Sequence, residues 1–182
     1  MTAVTNSAGE IERLLASAAA GDENAFASIV AAHHEDMRRV CVVVVGSEDI
    51  ADEAVEAAWS KAWQKLGSVR DPARLRAWLV SIAVNEGRQL VRSRSRRAAV
   101  EITVDELGDV STEDSTTSTI GAIDLRNALS RLNPDDRALL AMRYVAGFDA
   151  TELGYAMGLS PSGTRARLSR LLSRLEKELG DA

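Results

Sequence analysis

Two clusters of arginine are the residues whose type and spacing most clearly predict a chemical role for this chain. Residues 88–97 hold five arginines in ten positions, with no acidic residue among them. Arg88, Arg92 and Arg96 recur every four residues, so a helix would place them along one side. Guanidinium groups bind phosphate oxygens strongly, and the segment therefore predicts a contact to a nucleic-acid backbone. The alternative is a solvated helix end, where cations also interact favourably with the helix dipole.

The second cluster belongs to a pattern of two short helices near the end of the sequence. Asp149 and Glu152 form a capping box for the first helix. Gly158 suits its C-terminal end because glycine readily adopts a positive φ. Ser160 caps the second helix, and Pro161 stands at its first position. A short helix, a glycine turn and a basic second helix predict a helix-turn-helix, whose second helix enters a DNA major groove.

The second helix of this motif has a basic side and an apolar side. Its basic residues are Arg165, Arg167, Arg170, Arg174 and Lys177. Its leucines recur at helical spacing and are predicted to face a core; they are Leu168, Leu171, Leu172, Leu175 and Leu179. A basic, leucine-rich helix is also typical of the solvated face of a helical bundle, so this motif alone leaves that alternative open.

Composition restricts the class of protein. The net charge is −5 and the first sixty residues are strongly acidic, so two basic clusters suggest two DNA contacts on an otherwise acidic protein. The single cysteine, Cys41, excludes an internal disulfide framework, and its apolar neighbours predict a buried, unreactive thiol. Neither a signal peptide nor a membrane-spanning stretch is visible. The sequence therefore predicts a cytoplasmic protein.

Helical periodicity in the first half predicts four helices. They are expected at 10–20, from Asp22 onward, from Ser47 to Leu66, and from Asp71 to about Arg97. The valine-rich run Val40–Val45 favours a strand by local propensity, but the surrounding period favours a helix. The predicted inward-facing residues include Val55, Trp59, Ala62, Trp63, Leu75, Trp78 and Leu79.

The second half is predicted to form another helical domain. Helices are expected at 124–132 and from Asn133 to about Ala146, and the core residues predicted for the latter are Leu139, Leu140, Tyr144 and Val145. Residues 98–121 are acidic, rich in serine and threonine, and lack lysine, arginine and aromatic residues, which is typical of a flexible linker. The sequence thus predicts an all-α protein with small domains at 10–97 and 122–182, joined by an acidic linker at 98–121.

Taken in order, these segments resemble the extracytoplasmic-function sigma factors, the small sigma subunits of bacterial RNA polymerase. Three segments of the first half resemble sigma region 2: GDENAFASIV, ADEAVEAAWSKAWQKL and RAWLVSIAVNEGRQLVRSRSRR. One long segment of the second half resembles sigma region 4: ALSRLNPDDRALLAMRYVAGFDATELGYAMGLSPSGTRARLSR. The resemblance covers the chain from about Glu10 to Leu179. It rests on all the motifs occurring in order, since none of them is specific alone.

The resemblance implies two contacts for the first domain. Asp52, Glu53 and Glu56 would bind the clamp of the large polymerase subunit, where acidic groups can meet a basic partner. The domain would also hold the non-template strand of the promoter −10 element, with the loop 68–74 framing a flipped base. The residues implied for −10 DNA are Arg70, Arg74, Asn85, Arg88, Arg92 and Arg96.

For the second domain, the resemblance implies recognition of the promoter −35 element. Ser162, Arg165 and Arg167 would reach base edges, and Arg170 and Arg174 would meet phosphates. The implied function is that of a sigma factor, which binds core RNA polymerase and directs promoter-specific initiation while helping to melt the DNA. An anti-sigma factor is a further expected partner. No cofactor, no metal and no enzymatic activity are expected.

Three other classes of protein compete with this interpretation. A stand-alone helix-turn-helix regulator would bind promoter DNA without polymerase. An enzyme would need a site, and the sole metal-like cluster is the run from His33 to Asp36, whose neighbouring side chains point in different directions on a helix. An adaptor would bind polymerase and keep its activity after Arg165, Arg167 and Arg170 were neutralised.

Overall fold

The computed structural model describes residues 8–101, 125 and 127–180, and every regular element within these ranges is helical. This confirms the predicted all-α class. The predicted linker at 98–121 lies outside the described residues from residue 102 onward. Within the described part of the chain, no helix has the length and apolarity needed to cross a membrane.

The N-terminal unit consists of four helices and two short 3-10 turns. These are α1 (Ala8–Ala19), α2 (Glu23–Val45), α3 (Glu48–Lys65), the turns Leu66–Ser68 and Pro72–Arg74, and α4 (Leu75–Glu101). Helices α2, α3 and α4 pack against one another, and α1 lies against α2 and both turns. Their contact surfaces bury Met37, Val40, Val55, Leu66, Leu79 and Val84.

The boundaries of these helices follow the capping residues. The Asp22 carboxylate accepts hydrogen bonds from the backbone N–H groups of Asn24 and Ala25, and α2 ends at Gly46 with φ of 74°. Ser47 accepts from the N–H of Ile50 and begins α3. These caps confirm the helix starts expected from the sequence.

The predicted helix start at Asp71 is wrong in one detail. The Asp71 carboxylate accepts from the N–H of Ala73 at 3.0 Å, which stabilises a 3-10 turn rather than an α-helix. The α-helix itself begins at Leu75 and continues to Glu101, past the end expected near Arg97. The arginines at 88–97 therefore lie on one continuous helix.

The valine-rich run is helical, as the surrounding period predicted. Helix α2 continues through it to Val45, and Val40, Cys41 and Val44 are buried in the core. Tertiary packing thus outweighs the local strand propensity. Burial raises the pKa of the Cys41 thiol to about 12, which agrees with an unreactive side chain.

The C-terminal unit (125–180) contains α5 (Pro134–Tyr144), α6 (Ala150–Met157) and α7 (Pro161–Gly180), preceded by helical residues at 125 and 127–130. The Asp149–Glu152 capping box is present at the start of α6, and Gly158 ends the helix with φ of 67°. Gly154 on α6 meets the turn so closely that a Cβ there would lie 2.6 Å from the carbonyl oxygen of Leu159. Helices α6 and α7 therefore form a tightly closed helix-turn-helix.

Some side chains predicted to face a core are exposed. Trp63 is 39% exposed and packs its ring edge-on against Phe26, with centroids 4.7 Å apart. Tyr144 is 60% exposed, and Val145 and Leu179 are also exposed. Helical period identifies the apolar side of a helix, but it does not say where the neighbouring element stops covering that side. Three of these four residues, Tyr144, Val145 and Leu179, lie at the C-terminal ends of helices.

The two units contact each other directly. Helix α2 packs against α5, and α4 packs against α6. The Arg137 guanidinium donates to the carbonyl oxygen of Val44 at 2.9 Å. The Arg76 guanidinium donates to the carbonyl oxygen of Ala146.

Candidate nucleic-acid interface

The N-terminal end of α7 presents polar and cationic groups to solvent. Ser160 Oγ accepts the backbone N–H of Gly163 at 3.1 Å and lies 3.2 Å from the hydroxyl of Ser162. The exposed basic residues of α7 are Arg165, Arg170, Arg174 and Lys177. Ser162 and Arg165 are both exposed within the first two turns of α7.

Arg167 differs from the other arginines of α7. Its guanidinium forms an ion pair with Asp136, with Nε and Nη2 at 2.8 and 2.7 Å from the same carboxylate oxygen. Asp136 is buried and also accepts a hydrogen bond from the side chain of Asn133 at 2.6 Å. Arg167 thus fastens α7 to the start of α5. The contact to base edges that the resemblance implies for Arg167 stays a prediction.

The later part of α4 carries exposed cations beside acidic groups. Arg92 and Arg96 line a groove of about 540 Å³ between α3 and α4, together with Glu53 and Glu86. The groove therefore combines a residue assigned to polymerase with two residues assigned to −10 DNA. Asn85, another residue assigned to that DNA, is also exposed.

The ridge predicted along α4 is interrupted at Arg88. Its side chain is only 13% exposed, and its Nη1 lies 3.1 Å from an Asp135 carboxylate oxygen of the C-terminal unit. Its Nη2 lies 3.9 Å from the sulfur of Met157. Burial lowers the pKa of Arg88, and the carboxylate of Asp135 partly opposes that effect. Arg88 is therefore covered, whereas Arg92 and Arg96 remain in solvent.

The loop assigned to a flipped base is held by short-range contacts. The hydroxyl of Ser68 donates to the carbonyl oxygen of Lys65 at 2.7 Å, and Arg74 forms an ion pair with Asp71 at 3.1 Å. The guanidinium carbon of Arg74 also lies 5.0 Å from the ring centroid of Tyr155 on α6. Arg70 is exposed on the same loop.

The acidic residues assigned to polymerase lie on α3 and are exposed. Asp52 forms an ion pair with Arg38 at 2.7 Å, and Glu53 forms one with Arg94 at 2.6 Å. Exposed pairs of this kind contribute little stability. Glu56 lies one helical turn further along α3. The three carboxylates therefore remain accessible to a basic partner.

The cluster from His33 to Asp36 does not assemble into a metal site. The Nδ1 of His34 accepts a hydrogen bond from the indole of Trp59 at 3.2 Å. Burial lowers the pKa of His33, although the nearby Asp36 carboxylate opposes this. Across the described residues, no three histidine, cysteine or acidic side chains come together as metal ligands.

Comparison with known proteins identifies the family. Residues 29–97 match the family model for Sigma-70 region 2, and residues 122–175 match the one for Sigma-70, region 4. The chain is 30% identical over 168 residues to the ECF RNA polymerase sigma factor SigM of Mycobacterium tuberculosis. This alignment covers 92% of the present chain and 83% of the relative. The chain belongs to the extracytoplasmic-function sigma factors. This sigma factor binds core RNA polymerase and promoter DNA and directs promoter-specific transcription initiation, which confirms the function predicted from its sequence.

Solved structures share the fold of this sigma factor. CnrH in complex with the cytosolic domain of CnrY aligns with a TM-score of 0.68 at 26% identity, covering 93% of this chain and 96% of that one. The sigma factor RpoE in complex with the anti-sigma factor NepR, from Bartonella quintana, aligns with a TM-score of 0.67 at 23% identity, covering 85% and 96%. Both similarities extend over the two helical units.

Sequence reasoning missed the arginines that join the two units. Arg76 forms an ion pair with Asp36 at 2.8 Å and lies over the ring of Phe148, 4.8 Å from its centroid. Arg137 donates to carbonyl groups of both units, at Val44 and Leu129. No spacing rule signals such residues, because their partners lie far away in the chain.

Proposed function

We propose that this sigma factor reads the −35 element with the N-terminal end of α7 and the −10 element with α4 and the preceding loop. The observation that carries this proposal is the closed helix-turn-helix with Arg165 and Arg170 exposed on its second helix. Ser162 and Arg165 would contact bases, and Arg170 and Arg174 would contact phosphates. Arg167 would act mainly by holding α7 against α5.

Arg92 and Arg96 would follow the phosphates of the non-template strand at the −10 element, with Arg88 joining them when it is uncovered. Arg70, Arg74 and Asn85 would surround the flipped base and its neighbours. Asp52, Glu53 and Glu56 would meet a basic surface on the clamp of polymerase. The functional domains would then be 10–97 and 122–182, with an acidic linker at 98–121.

We further propose that the protein is not an enzyme and acts in the cytoplasm, where polymerase transcribes the genome. An anti-sigma factor is a partner to be expected. The solved complex of CnrH with the cytosolic domain of CnrY supports this expectation, since that chain is similar over almost its whole length. Stoichiometric zinc or iron in the purified protein would contradict the non-catalytic assignment.

Run-off transcription tests the proposal. Purified core polymerase is supplied with a panel of promoter fragments, with and without the sigma factor. We expect specific initiation that depends on the sigma factor, and we expect an Arg165→Ala/Arg170→Ala variant to lose initiation while still binding core polymerase. Lys177→Ala is the matched control, because Lys177 is an exposed cation further along α7.

Two results would contradict the assignment. If the double variant initiated as well as the unchanged protein, α7 would not be the −35 reader. If the unchanged protein neither bound core polymerase nor initiated from any fragment, the proposed roles of both units would fail, and binding of promoter DNA without polymerase would favour a stand-alone regulator.

A further inference from the structure

The polymerase-binding surface proposed on α3 is contacted by an arginine of α2. The guanidinium of Arg38 donates from Nε to a carboxylate oxygen of Asp52 and from Nη2 to one of Glu48, both at 2.7 Å. Glu48 and Asp52 stand one helical turn apart at the start of α3. One side chain of α2 therefore holds two carboxylates of α3.

Arg38 is less accessible than its two partners. Its side chain is 29% exposed, whereas those of Glu48 and Asp52 are 66% and 50% exposed. Its neighbours on α2, Met37 and Cys41, are fully buried, so Arg38 stands at the edge of the packed face of that helix. The guanidinium is thus partly enclosed, while both carboxylates stay accessible to a binding partner.

The two contacts together fix the direction of the Arg38 guanidinium. An exposed ion pair joined by one contact contributes little, and Glu53 forms such a pair with Arg94. The N–H groups of a guanidinium point in fixed directions within one plane, so the contact to Glu48 sets where Nε meets Asp52. This contact engages one oxygen of Asp52, and within the described ranges the second oxygen has no hydrogen-bond partner.

We propose that Arg38 is a positioning residue for polymerase binding, which holds the Asp52 carboxylate so that its second oxygen meets a cation of the clamp. Glu48 acts through Arg38, by fixing the guanidinium. A carboxylate that is restrained before binding loses less side-chain freedom when its partner arrives, and this favours the complex. The inference rests on the proposed function, because orienting Asp52 matters only if Asp52 contacts polymerase.

The first test is an Arg38→Lys variant of the full-length protein. Lysine keeps the positive charge, and with it any repulsion of a basic clamp, but its single ammonium group cannot reproduce the planar fork to Glu48 and Asp52. We expect the dissociation constant for purified core polymerase to rise about fivefold, because Asp52 must then be ordered during binding. Biolayer interferometry with immobilised core polymerase provides the measurement. An unchanged or lower dissociation constant would overturn the proposal.

Arg39→Lys is the matched control. Arg39 is the next residue on α2, is exposed, and pairs with Glu35 and Asp36 of its own helix. The same substitution there should leave the dissociation constant unchanged. Since exposed ion pairs contribute little stability, both variants should share the urea midpoint of the unchanged protein. If the two variants weakened polymerase binding equally, the positioning role of Arg38 would be excluded.

A double-mutant cycle with Asp52→Ala separates positioning from a structural role. If Arg38 acts through Asp52, the Arg38→Lys/Asp52→Ala variant should bind core polymerase as Asp52→Ala does, and no more weakly. Glu48→Ala should resemble Arg38→Lys and should likewise have no further effect in the Asp52→Ala background. A structural role of Arg38 would persist without the carboxylate, so the double variant would lose a further fivefold. That additive loss would overturn the proposal.

The Asp52→Ala variant alone separates this inference from the proposed function. If it weakens polymerase binding and Arg38→Lys does not, the positioning role is wrong and Asp52 remains a polymerase contact. If Asp52→Ala binds core polymerase and initiates in run-off transcription as well as the unchanged protein, the polymerase contact proposed for Asp52 fails, and this inference fails with it. Weaker binding for each single variant, without additive loss in the double variant, supports both.

Discussion

Helices α4 and α7 carry similar arginine patterns, yet the structure uses them differently. On α7, Arg165 and Arg170 are exposed, and Arg167 pairs with the buried Asp136 inside its own unit. On α4, Arg92 is exposed while Arg88 pairs with the other unit. The accessibility of a basic helix is therefore decided by the carboxylates that pack opposite it, and the helix's own composition does not reveal them.

This contrast suggests that substitutions should affect the two proposed DNA contacts differently. The proposed −35 reader lies within the C-terminal unit, where α5 and α6 both pack against α7. On the proposed −10 surface, by contrast, Arg88 pairs with Asp135 of the C-terminal unit. A structural change inside the C-terminal unit should therefore damage the −35 contact most, whereas a change in the interdomain contact should affect the −10 contact.

The largest effect is expected from Gly154→Val, which changes the packing of α6 against the turn that leads into α7. A Cβ at this position would already lie 2.6 Å from the Leu159 carbonyl oxygen, and the two γ-methyl groups cannot be accommodated without moving backbone. Overpacking of this kind should cost about 3 kcal/mol in free energy of unfolding. Urea denaturation measures the loss.

Thr151→Val is the control for this change. It introduces the same side chain on α6 at an exposed position, where substitutions usually stay within about 0.5 kcal/mol. A Gly154→Val protein as stable as this control would mean that the turn is looser than the structure shows.

The next largest effect is expected from Arg167→Ala, which distinguishes a structural arginine from a DNA-reading one. Removing it leaves the Asp136 carboxylate buried with Asn133 as its remaining side-chain partner. Loss of one partner of a buried ion pair is strongly destabilising, and the partly exposed guanidinium reduces the expected cost here to about 2 kcal/mol. Thermal or urea unfolding provides the measurement. Arg170→Ala should unfold like the unchanged protein, and equal losses for both variants would contradict the distinction.

Arg165→Ala should weaken the −35 contact while leaving stability intact. A well-placed arginine contact to a base contributes about 1–3 kcal/mol of discrimination, so affinity for the −35 element should fall by about tenfold. The measurement is binding of the sigma–polymerase complex to an active promoter fragment and to one with the −35 element scrambled. The preference should shrink for Arg165→Ala and persist for Lys177→Ala. An unchanged preference would remove Arg165 from the base-reading set.

The smallest effect concerns pH and the Asp36 carboxylate, which holds Arg76 near the interdomain contact. Burial alone would raise the pKa of Asp36, but hydrogen bonds and charges from Arg76 and Arg39 outweigh it, and the pKa is lowered. A lowered carboxyl pKa contributes stability above the ordinary value of about 3.9, and this contribution is lost as pH falls through the folded-state pKa. The difference in urea midpoint between the unchanged protein and Asp36→Asn should therefore narrow below about pH 4. A constant difference would contradict this.

Local rules predicted most of the helix boundaries. Asp22, Ser47, Asn133 and Asp149 each cap the helix expected of them, because capping depends only on residues within one turn. The helix-turn-helix followed from such signals, and so did the exposed cations on α7. These parts of the candidate site could be read from short stretches of sequence.

Contacts between distant elements could not be predicted in the same way. The periodicity of α5 placed Tyr144 in a core, but the side chain is 60% exposed at the end of the helix. The spacing of α4 grouped Arg88 with Arg92, although Arg88 pairs with Asp135, which lies 47 positions away in the sequence. A single sequence records the side of a helix on which a residue lies, but not which element packs there.

The helical form of the run Val40–Val45 has a consequence for production of the protein. Six consecutive residues, of which five are valines of high strand propensity, carry no charge and no proline, and they match the signature of segments that stack into intermolecular sheets. Folding buries Val40, Cys41 and Val44 and partly buries the other three valines, and Arg38 and Arg39 just before the run act as charged gatekeepers. A chain that has not yet packed α3 and α4 against α2 exposes this run, so its yield in soluble form should depend on the folding speed of the N-terminal unit.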